Sequence, residues 1–366
     1  MQDVLARTLI FNDEVSLAVL DATDLVREGA RLHKTAPAAT VAFGKILCIA
    51  AYMASGLKSN GEISFSLHGN GSLGNILVSA DAALKVRGAI DRPEQNPLLP
   101  DGSCDFVAAI GNEGYLKVIR DDGEGMPFTG TSEILRGNPD EDFMGYYLKS
   151  EQLPTLVNTA VVLNEDGSVA FAGGIFLQPL PGASEEALNA TEQAYNATYF
   201  IGEMLAHNED GTRGDYLERL VAQFGSDAEV AYLTPKYHCR CSRDYIMRKV
   251  LVTLPRTDFD ELIAEDGKIC IHCNYCNRDY IYTAEDAAAI YGEANSANET
   301  GNPGAGGTGN PGANETGNPG ANETGNPSAN DSDNPGAGGS GNPGAGGSDG
   351  LGEPESAGNP SEQSEE

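Results

Sequence analysis

The sequence predicts an α+β protein: a mixed α/β globular N-terminal domain with antiparallel sheets, a helical connector, a small C-terminal domain built on four cysteines, and a disordered tail. Three observations carry this. Short β-rich runs follow one another closely between Gly and Asn turns, five of the seven cysteines fall between Cys239 and Cys276, and the last 75 residues are a Gly, Asn, Pro and Ala repeat. Strands in close succession pair most simply as antiparallel hairpins, and cysteines crowded in this way point to a local site rather than to scattered core thiols.

The N-terminal domain is assigned to residues 1–180. "ISFSLHG", "NILVSAD", "LKVRGAI" and "GYLKVIR" read as strands, and Thr23 to His33 and Pro37 to Leu57 as helices. The second helix lies in "APAATVAFGKILCIAAYMASG", the one membrane-like stretch. It holds Lys45, Gly44 and Pro37 and is mostly Ala, so a buried core helix is expected and no membrane partner. "GNGSLG", Gly69 to Gly74, fits a dinucleotide fingerprint by letter. That motif must open a helix, whereas β-branched "NILVSAD" follows here, so a glycine-rich hairpin is expected. Cys48 and Cys104 are isolated and receive no role.

Residues 181–235 read as the helical connector. Ala187, Ala194, Ile201 and Leu205 share a helical face, and Leu217, Leu220, Val221 and Phe224 follow at helical spacing before Gly225. Residues 292–366 form the tail. Its prolines from Pro303 to Pro343 recur every eight residues, each after Asn, and it carries twelve acidic and no basic residues. Such a segment buries too little apolar surface to offset its ordering entropy. Without it the net charge of −31 becomes −19, which opposes association with phosphate backbones or anionic lipid. The N-terminus has no basic and apolar secretory pattern. A cytoplasmic, reducing location is therefore expected, where clustered cysteines are more often metal ligands or redox groups than permanent bridges.

Residues 236–291 carry that cluster in "YHCRCSRDYIMRK" and "KICIHCNYCNRDY". Zinc takes four tetrahedral ligands, and two close thiolate pairs on tight turns supply them. Cys239 and Cys241 make one pair. Cys270 with Cys273, or Cys273 with Cys276, makes the other, with His238 and His272 as substitutes. Cys273 and Cys276 are preferred, because Asn277 after the second cysteine tolerates a left-handed backbone, while Cys270 sits in an alternating strand. Lys236, Arg240, Arg243, Arg248, Lys249, Lys268 and Arg278 are expected around the sulfurs, keeping them ionised. Asp258 with Glu261, and Thr283 with Asp286, have the spacing of capping boxes. A segment this short gains little from core burial alone, whereas a four-thiolate zinc site supplies roughly 10 to 16 kcal/mol. Its folding should therefore follow the metal.

The C-x-C and C-x-x-C pattern, with "LVREGARLHKTAPAATVAFGKILCIAAYMA", "GNGSLGNILVSADAALKVRGAI" and "AGGIFLQPLPGA", resembles the redox-regulated 33 kDa chaperonins, heat-shock holdases, over about residues 5 to 291. The resemblance implies an ATP-independent chaperone, not an enzyme, that holds unfolding client proteins under oxidative stress. It implies one Zn2+ per chain on Cys239, Cys241, Cys273 and Cys276 in the reduced, silent state. Oxidation would bridge Cys239 to Cys241 and Cys273 to Cys276, release the metal, loosen the connector and yield an active homodimer. Cys270 departs from the pattern as a possible modifier of the second bridge, and the tail is foreign to it. Two other functions compete. A zinc-ribbon nucleic-acid-binding protein would need a basic face, against the net charge. A thiol-disulfide oxidoreductase would need C-x-x-C at a helix N-terminus.

Overall fold

One apolar helix separates two sheets. The computed structural model describes residues 2–198 and 229–299, with side chains up to residue 292. In chain order the body comprises β1 (Val4–Ile10), β2 (Val15–Asp21), α1 (Thr23–His33), α2 (Pro37–Ala54), β3 (Glu62–Gly69), β4 (Ile76–Asp81), β5 (Lys85–Ile90), α3 (Phe106–Ala109), β6 (Gly114–Asp121), β7 (Phe128–Glu133), α4 (Pro139–Tyr146), a π-helical turn Tyr147–Glu151, β8 (Leu156–Leu163), β9 (Val169–Pro179) and α5 (Glu185–Ala197). Two short strands, β10 (Ala231–Leu233) and β11 (Lys236–Tyr237), then return to the body. The C-terminal part adds α6 (Arg243–Lys249), a 3-10 turn Leu251–Thr253, α7 (Arg256–Asp266), β12 (Ile269–Cys273), β13 (Arg278–Tyr282) and α8 (Ala284–Glu299).

The first sheet runs β10-β1-β2-β9-β8 and the second β11-β5-β4-β3-β6-β7, antiparallel throughout except where β11 joins β5. The expected mixed α+β body with antiparallel sheets is thus the observed one. Pro37 opens α2, where its missing N–H costs nothing, and the helix packs on β8 and β9 of one sheet and on β3, β4 and β5 of the other. Burial on all sides explains the uniform apolarity that made it look membrane-like. Gly44 is needed there, since a Cβ would lie 2.8 Å from Val26 and 2.9 Å from Val161. The helix ends at Ala54, three residues short of the expected Leu57, in a turn whose Ser55 carbonyl accepts from Arg7.

Gly69 to Gly74 joins β3 to β4 as a hairpin loop, as expected, and the N–H groups of Gly71 and Leu73 donate to the carbonyls of Ile110 and Ala109. α5 follows the expected helical face in burying Ala187 and Ala194, while Ile201, Leu205, Leu217, Leu220, Val221, Phe224 and Gly225 lie outside the described residues, as does the tail after residue 299. The segment assigned as a helical connector is extended at its end, where Ala231–Leu233 pairs with β1. Of the two capping boxes, Thr283 and Asp286 form the reciprocal half, the Asp286 carboxylate accepting from the Thr283 N–H at 2.8 Å. Asp258 is instead inside α7, which starts at Arg256 behind Pro255 with no side-chain cap. The helix therefore starts three residues earlier than the acidic spacing suggested, with Pro255 instead of Asp258 at the N-cap.

Asp3 caps α1 from a distance, accepting from the Asp24 N–H at 2.8 Å and the Leu25 N–H at 2.6 Å. Burial nevertheless pushes its carboxyl up to about 6. The folded state therefore holds a proton that the unfolded chain has released. This group's contribution to stability is full below about pH 4 and is lost as pH rises through about 6, a change of about 3 kcal/mol. Denaturation midpoints of Asp3→Asn should lack that slope between pH 4 and 6. An identical slope in both proteins would assign it to other groups.

Candidate metal-thiolate site

The chain brings its two cysteine pairs together from opposite ends of the C-terminal part. Cys239 and Cys241 lie between β11 and α6, where Ser242 caps the helix by accepting from the Tyr245 N–H. Cys273 ends β12. Its carbonyl accepts from the N–H groups of Cys276 and Asn277, closing a tight turn into β13, and Asn277 has φ 54. That is the left-handed position anticipated from sequence. Asn is among the few non-glycine residues that adopt it readily.

The four Sγ atoms lie within 4.8 Å of one another. Cys239 is 3.1 Å from Cys241 and 3.6 Å from Cys273, and Cys241 is 3.1 Å from Cys276. Zn–S bonds of about 2.3 Å in a tetrahedron place sulfurs about 3.8 Å apart, so this donor set can hold such an ion. The two other thiols of the body, Cys48 and Cys104, are buried far along the chain in the main core. Cys270 is exposed on β12, pointing away from the face on which Ile269, Ile271 and Cys273 are half-buried. His272 shares its outward face and pairs with Asp279 at 2.7 Å, and His238 is exposed with its backbone bonded to Val86. Neither histidine joins the group of four.

The electrostatics differ from the expected ring of cations. Arg240 is bound by Glu62 and Asp81 of the body at 3.1 and 2.9 Å, Arg243 by Asp286 at 2.8 Å, and Arg248 lies 3.8 Å from Asp244. Carboxylates remote in sequence have claimed the charges of Arg240 and Arg243. Burial pushes the Cys239 thiol up to about 12 and that of Cys276 upward as well. Burial also acts to raise Cys241, but hydrogen bonds from Tyr280, whose hydroxyl is 3.1 Å away, and from the other cysteines bring it down to about 7. Hydrogen bonding, rather than nearby lysine and arginine, is what favours a thiolate here.

Sequence reasoning missed how this part is held to the body. β11 adds to β5, with the Lys236 N–H bonded to Leu84 O and the His238 N–H to Val86 O. Tyr237 turns its ring into the main core. Its hydroxyl accepts from Gly88 N–H at 3.2 Å, faces the carbonyls of Gly88 and Tyr275, and meets His33 Nε2 at 3.2 Å. Tyr275 belongs to the cysteine turn and stacks under the Arg87 guanidinium at 4.8 Å, while Asn277 Nδ2 donates to Leu32 O. One hydroxyl therefore ties α1, β5 and the cysteine turn. Tyr237→Phe should cost about 1 to 3 kcal/mol by stranding buried partners and speed hydrogen exchange in residues 270–280 while leaving metal content unchanged. Unaltered exchange there would remove Tyr237 from the latch.

The fold and site define an α+β protein with four cysteine thiols, placed so that they can hold a metal ion, docked on its body. Residues 3–283 match the family described as Hsp33 protein. The chain is 32% identical over 300 residues to the 33 kDa chaperonin of Shouchella clausii, spanning 81% of this chain and 99% of the relative. It is 34% identical over 289 residues to the 33 kDa chaperonin of Bacillus cereus strain AH187, spanning 78% and 97%. The crystal structure of the 33 kDa chaperonin from Thermotoga maritima superposes with a TM-score of 0.69 at 24% identity, over 81% of this chain and all of that one, which shows the shared fold. The chain belongs to the 33 kDa chaperonin (Hsp33) family, whose members are named chaperonins rather than enzymes.

Proposed function

We propose that this protein is a redox-regulated, ATP-independent holdase of the cytoplasm that binds unfolding client proteins under oxidative stress. The observation that supports it best is the convergence of Cys239, Cys241, Cys273 and Cys276 on one point of a part that is latched to the chaperonin body. In the reduced state these four thiolates would hold one Zn2+, whose binding would supply folding energy to residues 236–291. An oxidant of the peroxide class takes two electrons from each pair and is itself reduced to water. Cys239 then bridges to Cys241, and Cys273 to Cys276. Disulfide sulfur is a poor metal ligand, so the four residues would no longer offer the thiolate donors that hold Zn2+.

Loss of the four-thiolate arrangement acts mechanically. The turn carrying Tyr275 and Asn277 loses its shape, and with it the contacts to Gly88, His33 and Leu32. The connector, residues 181–235, is anchored next to this latch through β10 and loosens in turn. Apolar surface of connector and body (residues 1–180) becomes available to clients, and the active form is a homodimer. The Cys273 to Cys276 turn joins two strands and opens no helix, which weakens the rival reading as a thiol-disulfide oxidoreductase.

Light scattering from a thermally unfolding reporter enzyme tests the proposal. The oxidised, zinc-free protein should suppress scattering and the reduced, zinc-loaded protein should not. Equal suppression by both would leave a chaperone without this switch, and none by either would end the holdase reading.

A further inference from the structure

A small pocket lies at the opposite end of α2 from its proline start, between β1, β3, β6, β9 and the π-helical turn. It encloses about 220 Å³ and is lined by Arg7, Arg120, Tyr52, Tyr147, Gln178 and Glu151, among others. Tyr52 and Tyr147 are only 5% and 6% exposed, yet neither hydroxyl has a hydrogen-bond partner among the described residues. Both residues line one cavity, where phenol hydroxyls without a protein partner are free to donate to a ligand. Their rings lie 6.3 Å apart.

The cations beside them are also incompletely used. Arg7 commits Nη1 to Ser55, at 2.9 Å from its carbonyl and 3.2 Å from its hydroxyl, and Arg120 commits Nε to Asp122 at 3.1 Å. The remaining guanidinium N–H groups have no protein acceptor among the described residues. Burial holds the Tyr52 hydroxyl protonated, up to about 12, and that of Tyr147 higher still, so both serve as donors at neutral pH. Glu151 is the one carboxylate in the lining, and one of its oxygens already accepts from Tyr146 at 2.7 Å. Asp122 already pairs with Arg120, so what the pocket offers an anion is the unused N–H donors of the two guanidinium groups, and its size excludes a bulky ligand.

We propose that this pocket binds a small oxyanion, a carboxylate or a phosphate group, clamped between the guanidinium groups of Arg7 and Arg120 with Tyr52 and Tyr147 donating from the floor. This site is independent of the cysteine cluster and of any chaperone switch. Phosphate or carboxylate bound here would bridge β1 of one sheet to β6 of the other and stiffen the body.

Titration calorimetry of the full-length, reduced, zinc-loaded protein with inorganic phosphate and separately with acetate, against chloride at matched ionic strength, provides the test. Saturable binding of one equivalent of either probe is expected, weakened about tenfold or more in Tyr52→Phe/Tyr147→Phe and in Arg120→Gln. Phosphate binding alone would identify a phosphate group as the ligand chemistry, and acetate binding alone a carboxylate. The tyrosine variant keeps both rings, and its melting temperature without the probe reports whether it folds. Absence of saturable binding by both probes, or binding that survives these substitutions in folded protein, would overturn the site.

Discussion

Cys276→Ser is expected to unfold residues 236–291 while the body stays intact. The small core of this part consists of Ile246, Leu251, Phe259, Tyr282, Ala287 and Ile290 with half-buried neighbours such as Ile269 and Tyr280. Six buried side chains do not offset the ordering entropy of more than fifty residues. A four-thiolate zinc site contributes roughly 10 to 16 kcal/mol, comparable with the whole net stability of a domain, about 5 to 15. Serine keeps the size of cysteine but is a poor zinc ligand, so most of that contribution is lost. The body is spared because its core is α2 between two sheets and draws from this part chiefly the ring of Tyr237. Hydrogen exchange read by peptide should show residues 246–290 unprotected and residues 40–54 unchanged. Cys270→Ser, which alters an exposed thiol outside the group of four, should match the parent protein. Full protection of residues 246–290 in metal-free Cys276→Ser would refute the metal-dependent fold.

These contrasts show what the sequence discloses and what it conceals. α1 and the start of α2 were legible because their signals are local: an apolar period, a Pro at the first position, and polar residues at the ends. The cysteine turn was legible for the same reason, since Asn277 placed its left-handed residue and so chose Cys276 over Cys270. Arg240 was misjudged because its partners, Glu62 and Asp81, lie 178 and 159 residues away. Tyr237 left almost no trace. A strand of two residues has no period to detect, and its pairing with Lys85 and Val86 depends on a surface that exists only after the body has folded. The unpaired hydroxyls of Tyr52 and Tyr147 are hidden likewise, as pattern reading counts tyrosine toward the core and cannot see that its oxygen lacks a partner.

Lys45 carries the second large effect, because it is a charge inside the most apolar helix of the chain. Its ammonium is 2.6 Å from Asp140 Oδ2 and also donates to Thr159 O, and both side chains are 11% exposed. Asp140, near the N-terminus of α4, accepts in addition from the Thr159 N–H at 3.1 Å and from its hydroxyl. This closed set ties α2, α4 and β8 together. Removing one member strands the other charge, so Asp140→Asn and Lys45→Met should each destabilise the body by about 3 to 5 kcal/mol. The pair borders a cavity of about 780 Å³, and water entering there favours the lower figure. Lys45→Met/Asp140→Leu, which removes both charges and keeps the volume, should recover much of the loss. The two single substitutions then fail to add, with a coupling of at least about 2 kcal/mol in a double-mutant cycle. Chemical denaturation of the four proteins measures it directly. Additive losses, or single losses below about 1 kcal/mol, would mean that the pair is hydrated and that apolar packing alone holds α2 against β8.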